Sequence, residues 1–276
     1  MTRRYVDIVV LSDIHLGTIG CHAKELLNYL KSIRIGTLIL NGDIIDIWNF
    51  KKRYFPLDHL NVIQYMLKLA VKGTKVYYLT GNHDELLRKF KEIELGAICM
   101  RDQLELNING KKVWIFHGDV FDSSIQHTKL LAKLGGHSYD LLISFNRILN
   151  NMLVALGYEK FSLSKKIKAS VKKVVSYISD FEEIAASVAI EKGFDQVICG
   201  HIHQAQIRTI TVGGKSIEYL NAGDWVESLT ALEYYNNNWS LYYHPEEVRK
   251  LNVVSKKTSN PIESFEPRIM SNAGNA

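Results

Sequence analysis

Short apolar runs rich in β-branched and aromatic residues recur at Val6–Leu11, Thr37–Leu40, Lys75–Leu79, Val113–Phe116 and Gln196–Cys199, and each runs straight into a polar cluster. Runs of that length and makeup predict buried strands. Between the first three, Ala23–Ser32 and Leu60–Val71 repeat their apolar residues at helical spacing, so the opening third reads as alternating β and α. Further on, Leu104–Ile108 and Val113–Phe116 flank Asn109-Gly110, a hairpin signal, while Ile207–Val212 and Ser216–Leu220 flank Gly213-Gly214. The expected fold is α/β: mixed sheets flanked by helices. From Asp122 to about Phe194 no strand pattern interrupts a helical reading, first around Tyr139–Leu156 and then around Lys165–Glu191. This predicts a core of residues 1–121 and 195–245 carrying a helical cap insertion, 122–194. Residues 246–276 are polar and lack the apolar periodicity that offsets ordering entropy, so a poorly ordered tail is expected there.

Composition narrows this picture only a little. With 276 residues, 46% of them hydrophobic, the chain can bury a sizeable core. Its 34 basic and 29 acidic side chains leave a formal +5, too little to indicate a nucleic-acid partner, and none is expected. No apolar stretch approaches the roughly 20 residues that span a bilayer. Asp7 and Asp13 interrupt the first apolar run, so no secretory segment is read there and a cytoplasmic protein is expected. Three widely spaced cysteines, with no Cys-x-x-Cys pair, exclude a disulfide scaffold and a thiolate zinc site.

Chemistry gathers at the strand ends. In order these deliver Ser12-Asp13-Ile14-His15, Gly42-Asp43-Ile44-Ile45-Asp46, Gly81-Asn82-His83-Asp84, His117-Gly118-Asp119 and Gly200-His201-Ile202-His203. Residues two apart on an extended strand share a side, so Asp13 with His15, and His201 with His203, are expected to form ligand pairs facing one cavity. Five of the ten histidines fall inside these clusters, a concentration that a chain without a site has no reason to show. Asp84 and Asp119 read as acids that orient neighbours or cap a helix. His22, His59, His127, His137 and His244 read as exposed or simply hydrogen-bonded, and Cys199 as a small buried residue.

The order DxH, GDxxD, GNHD, H, GHxH resembles the calcineurin-like metallophosphoesterases, whose fold is a β-sandwich of mixed sheets flanked by helices. The resemblance implies two divalent ions, one held by Asp13, His15, Asp43 and His203, the other by Asp43, Asn82, His117 and His201. Oxygen and imidazole donors without thiolate favour manganese, iron or zinc over calcium, with manganese the first choice. Two such ions roughly 3.5–4 Å apart bind phosphoryl oxygens, lower the pKa of a water between them and stabilise in-line displacement. His83 is then placed to face the leaving group as a proton donor, with Asp46 the family's candidate to orient it.

Gly42-Asp43-Ile44-Ile45-Asp46-Ile47-Trp48, Tyr139-Asp140-Leu141-Leu142, Asn146-Arg147, Ser162-Leu163-Ser164 and Gly223-Asp224-Trp225-Val226-Glu227-Ser228 are similar to the branch of UDP-2,3-diacylglucosamine pyrophosphatases. That likeness implies hydrolysis of a lipid-linked nucleotide diphosphate to UMP and 2,3-diacylglucosamine 1-phosphate, a step of lipid A synthesis. One departure stands out: the best-known form has arginine after the metal-binding asparagine, whereas His83 stands here, as in the wider superfamily. Six lysines and no acid lie between Lys160 and Ser179, interleaved with apolar residues at near-helical spacing. That stretch is either a solvated helix packing its apolar stripe or a surface for phosphate or an anionic membrane, with Lys165, Lys168 and Lys172 the candidate contacts. Trp48 reads equally as a substrate neighbour or a structural aromatic. Two other functions stay open, a phosphodiesterase acting on another nucleotide or phospholipid, and a non-catalytic scaffold on the same fold. The expected location is the cytoplasm, either free or peripheral on the cytosolic face of the inner membrane.

Overall fold

The structure, a computed structural model, describes residues 3–48, 54–122 and 164–245, with the backbone alone for 164–175. Strand β1 (Arg4–Leu11) leads through helix α1 (Ala23–Ser32) to β2 (Ile33–Asn41), and helix α2 (Leu57–Val71) leads to β3 (Lys75–Leu79). A 3-10 helix (Glu85–Phe90), the short strands β4 (Glu94–Leu95) and β5 (Ile98–Arg101), the hairpin β6 (Gln103–Ile108) and β7 (Lys111–Phe116), and a second 3-10 helix (Asp119–Phe121) follow. After helix α3 (Ser164–Glu191) come β8 (Gln196–Cys199), β9 (Gln206–Val212), β10 (Lys215–Asn221), β11 (Thr230–Tyr235) and β12 (Asn238–Tyr243).

Seven strands form one sheet in the order β12-β11-β1-β2-β3-β5-β4, and five form the other in the order β6-β7-β8-β10-β9. Alternation along the strands explains the layering. Val10 and Ile39 join Leu79, Val113, Ile115, Ile198 and Leu220 in one buried cluster between the sheets. Their neighbours Val9, Leu11, Leu38 and Leu40 face the opposite way and pack with Leu26 and Leu30 of α1 and Val62 and Met66 of α2. Strands covered on both faces must be apolar throughout, which is why β1 and β2 read as continuous runs. On the far side, Phe181, Ala185, Ala186 and Ala189 of α3 pack on Trp114, Phe116, Val197 and Tyr219 of the five-stranded sheet. The result is a four-layer α/β/β/α sandwich. Truncating a wholly buried side chain such as Leu38 to Ala is expected to cost about 2–5 kcal/mol.

Parallel pairing fixes where the strands stop. Leu11 aligns with Leu40, and Asn41 with Leu79, so β1, β2 and β3 end together. In the second sheet Ile115 aligns with Ile198, and Cys199 with Asn221, so β7, β8 and β10 also end together. The second half of α3, which the sequence assigns to the cap, is here a layer of the core. Residues 123–163 of the expected cap, and the expected tail at 246–276, lie outside the described residues.

Candidate metal centre

All five sequence clusters leave these strand ends and converge. The loop after β1 is zipped to the loop after β2 by main-chain bonds from Asp13 N to Gly42 O, His15 N to Asp43 O and Leu16 N to Ile44 O, at 3.1, 2.9 and 2.9 Å. The two sheets are stitched across the top of the sandwich. Asn41 Nδ2 donates to Phe116 O at 3.1 Å, and His201 N to Asp13 Oδ2 at 2.9 Å. Close approach explains two glycines: a Cβ at Gly200 would overlap the Ser12 hydroxyl, and one at Gly81 would overlap the Asp43 carboxylate.

The ligand pairs are not on extended strand, as the sequence reading expects. Asp13, His15, Asp43, His201 and His203 all lie beyond the strand ends with positive φ, at 51°, 54°, 54°, 67° and 54°. Such a conformation costs an L-residue roughly 1–2 kcal/mol. Side chains still converge because each ligand is turned inward by its own backbone kink rather than by strand pleating.

Each aspartate divides its oxygens between support and display. Asp13 Oδ2 accepts from Ser12 Oγ at 2.5 Å and from His201 N at 2.9 Å, and Asp43 Oδ1 accepts from His83 N at 2.8 Å. The other oxygens face imidazoles: Asp13 Oδ1 lies 3.2 Å from His203 Nε2, and Asp43 Oδ2 lies 3.4 Å from His117 Nε2 and 3.9 Å from His15 Nε2. His117 Nδ1 is 2.9 Å from Asn41 O, an acceptor only, so it carries the proton and leaves the Nε2 lone pair for the cavity. Three trios, Asp13/His15/His203, His15/Asp43/His83 and Asp43/His117/His201, each bring ligand atoms within 4.8 Å of one another.

The electrostatics ask for cations. Burial alone would raise the Asp13 and Asp43 pKa values, yet His203 and His117 outweigh it and hold both carboxyls well below the usual range. Burial would lower His203 and His117, but the facing carboxylates win, raising His203 to about 9 and His117 also upward. His15 goes the other way, lowered to about 4 chiefly by burial. The buried acids thus draw positive charge to the positions where cations would balance them. Asp13 Oδ1, His15 Nε2, Asn82 Oδ1 and His117 Nε2 are buried and make no well-aligned hydrogen bond among the described residues. Buried polar atoms left in that state are costly unless something binds them, and oxygen and imidazole donors suit divalent transition metals.

Residues 6–205 match the calcineurin-like phosphoesterase family. The chain is a calcineurin-like phosphoesterase. A UDP-2,3-diacylglucosamine hydrolase of Aliivibrio fischeri (strain MJ11) is 28% identical over 246 residues, covering 86% of this chain and 98% of the relative. A protein of the same name from Stenotrophomonas maltophilia (strain K279a) is 24% identical, covering 84% and 96%. Among solved structures, an archaeal phosphodiesterase aligns over 86% of this chain and 98% of its own at 16% identity, with a TM-score of 0.43. Membership makes the chain a metal-dependent phosphoester hydrolase, with the expected α/β sandwich.

Around the trios, this phosphoesterase places His83 with Nδ1 3.3 Å from Asp46 Oδ1 and Nε2 4.0 Å from Asp43 Oδ2. Burial opposes protonation of His83, but Asp46 and Asp43 outweigh it and raise its pKa. Trp48 is half exposed, and its ring lies 4.6 Å from the His83 ring. Among the described residues the oxygens of Asp84 accept from Gly81 N at 2.6 Å, Ile44 N at 3.0 Å and Tyr78 OH at 2.6 Å, stapling two ligand loops. Asp119 pairs with Arg88. His59 is buried and accepts from Gly17 N at 2.9 Å. Lys165, Lys168 and Lys172 fall on the first turns of α3, their side chains outside the described residues, as are His127 and His137. Sequence reasoning missed two partners of His201, Asp122 and Tyr177, because an acid five residues after a histidine and a tyrosine within a basic helix carry no spacing signal. Among the described residues no helix is long and apolar enough to cross a membrane.

Proposed function

We propose that the chain binds two divalent cations, manganese by preference, and hydrolyses the pyrophosphate of UDP-2,3-diacylglucosamine to UMP and 2,3-diacylglucosamine 1-phosphate. The single observation that carries the catalytic part is the set of buried, unsatisfied oxygen and imidazole atoms around Asp43. The substrate rests on relatives of that printed name that match over nearly their whole length. Asp13, His15, Asp43 and His203 would hold one ion, and Asp43, Asn82, His117 and His201 the other. When bound, such a pair polarises phosphoryl oxygens and makes a water nucleophilic at neutral pH.

The chain's own residues supply the rest. Asp46 holds the Nδ1 edge of His83, so Nε2 is the atom that gives a proton to, or neutralises, the departing oxygen. Trp48, packed beside His83, walls the leaving-group side. Lys165, Lys168 and Lys172 complement phosphate charge and draw the enzyme to the anionic cytosolic face of the membrane that holds its substrate.

Purified protein with manganese, incubated with the UDP-lipid, is expected to release UMP. A second reading, a phosphodiesterase for another nucleotide or phospholipid, is favoured by His83 standing where the best-known pyrophosphatase has arginine. Turnover of bis(p-nitrophenyl) phosphate without UMP release would select it. A non-catalytic scaffold would turn over neither.

A further inference from the structure

His201 differs from its fellow histidines in what holds its ring. Its Nε2 lies 2.8 Å from Asp122 Oδ1, and the Tyr177 hydroxyl donates to that same oxygen at 2.8 Å while standing 3.4 Å from Nε2. Three separate segments meet here: Asp122 follows the 3-10 helix after β7, Tyr177 lies on α3, and His201 lies in the loop after β8. Phe181, one helical turn beyond Tyr177, packs its ring 6.1 Å from the His201 ring, so α3 gives His201 an apolar neighbour as well as a polar one. The main chain of His201 is fixed independently, by its N–H to Asp13 Oδ2 at 2.9 Å.

We propose that Asp122 and Tyr177 are positioning residues that hold His201 as its Nε2–H tautomer and so present Nδ1 to the cation it shares with Asp43 and His117. A carboxylate can only accept, so the proton must sit on Nε2, and the lone pair is left on Nδ1. Accepting that proton also makes the imidazole a stronger donor to a metal. Tyr177, giving its own proton to the same carboxylate oxygen, limits the effect and fixes the carboxylate's direction. His117 is held by the opposite arrangement, with Nδ1 tied to Asn41 O and Nε2 displayed, so one cation would be met by two imidazoles through different ring atoms. The proposal rests on the metal-centre reading.

The test uses the full chain, with manganese titrated calorimetrically and the histidine rings of the zinc-loaded protein observed by nitrogen-15 NMR. Wild type is expected to bind two ions and to carry the His201 proton on Nε2. Asp122→Ala should weaken one of the two ions by about 10–100-fold and leave the other within about twofold. Asp122→Asn, whose amide oxygen still accepts from Nε2, should recover much of that loss, and Tyr177→Phe should lose only about fivefold. Asn as damaging as Ala would make Asp122 a direct ligand and overturn the proposal. So would equal weakening of both ions, unchanged affinities, or a wild-type proton on Nδ1. A wild type that binds no ion pair would reject the metal centre itself, whereas two ions with an unaffected Asp122→Ala would reject the clamp alone.

Discussion

The two sheets hand the site different things. From the seven-stranded sheet come both free carboxylate oxygens and the His83–Asp46 pair, on loops zipped by main-chain hydrogen bonds and stapled by Asp84. From the five-stranded sheet come three imidazoles: His117 and His203 are fastened across to Asn41 and Asp13 of the first sheet, and His201 reaches Asp13 through its N–H while Asp122 and Tyr177 of its own side hold its ring. The anionic half is tied mainly through its own loops, and the imidazole half is positioned in large part on it. Charge is thus set rigidly by one sheet and neutralised from the other.

Removing the shared carboxylate is the strongest way to break this division. Asp43→Ala is expected to abolish binding of both ions and to lower turnover by more than about 10⁴-fold, read by metal analysis of the purified protein beside the UMP assay. Retention of one tightly bound ion would show that the two halves bind separately. His83→Ala removes an imidazole that belongs to the anionic half; it should keep both ions and lower kcat by about 10²–10⁴-fold. Equal metal loss in His83→Ala would make His83 a ligand, as its membership of one trio allows.

Asp84→Ala tests self-support. Its loss strands two buried N–H groups and the Tyr78 hydroxyl, and should lower stability by about 2–4 kcal/mol in denaturant titration. A change below about 0.5 kcal/mol would mean the zipped loops need no staple. The smallest effect concerns thiols. Cys21 follows the first loop and Cys199 ends β8, and burial pushes both thiols up, Cys21 to about 12. Because the thiolate is the reactive form, alkylation of Cys21 and Cys199 in the native chain, followed peptide by peptide, should be slow at pH 8 and climb about tenfold per pH unit toward pH 10. A plateau near pH 9 would show that the Cys21 loop opens to solvent.

Much of the fold is legible before any coordinates. β1, β3 and β8 stand out as apolar runs, and the turns at Asn109-Gly110 and Gly213-Gly214 mark their hairpins. The strands β11 and β12 are not assigned from sequence, although Asn236-Asn237 between them takes the positive φ of a hairpin turn, at 49° and 61°. Asn-Asn is a weaker cue than Asn-Gly, and the acid Glu233 inside β11 breaks its apolar run. At the site, the identities of the ligand residues are visible because carboxylate, amide and imidazole follow strand ends in one order. Their backbone conformation is not, since φ at Asp13 or His15 is set against the partner loop it bonds to rather than by local propensity. Asp122 is hidden for the same reason: its value lies in a tyrosine 55 positions away.

The kinked backbone under the ligands carries one more implication. Selection for chemistry and selection for sturdiness pull against each other at these positions, so a library screened only for heat resistance should enrich glycine or asparagine at His15 and His203, yielding tougher chains that no longer work.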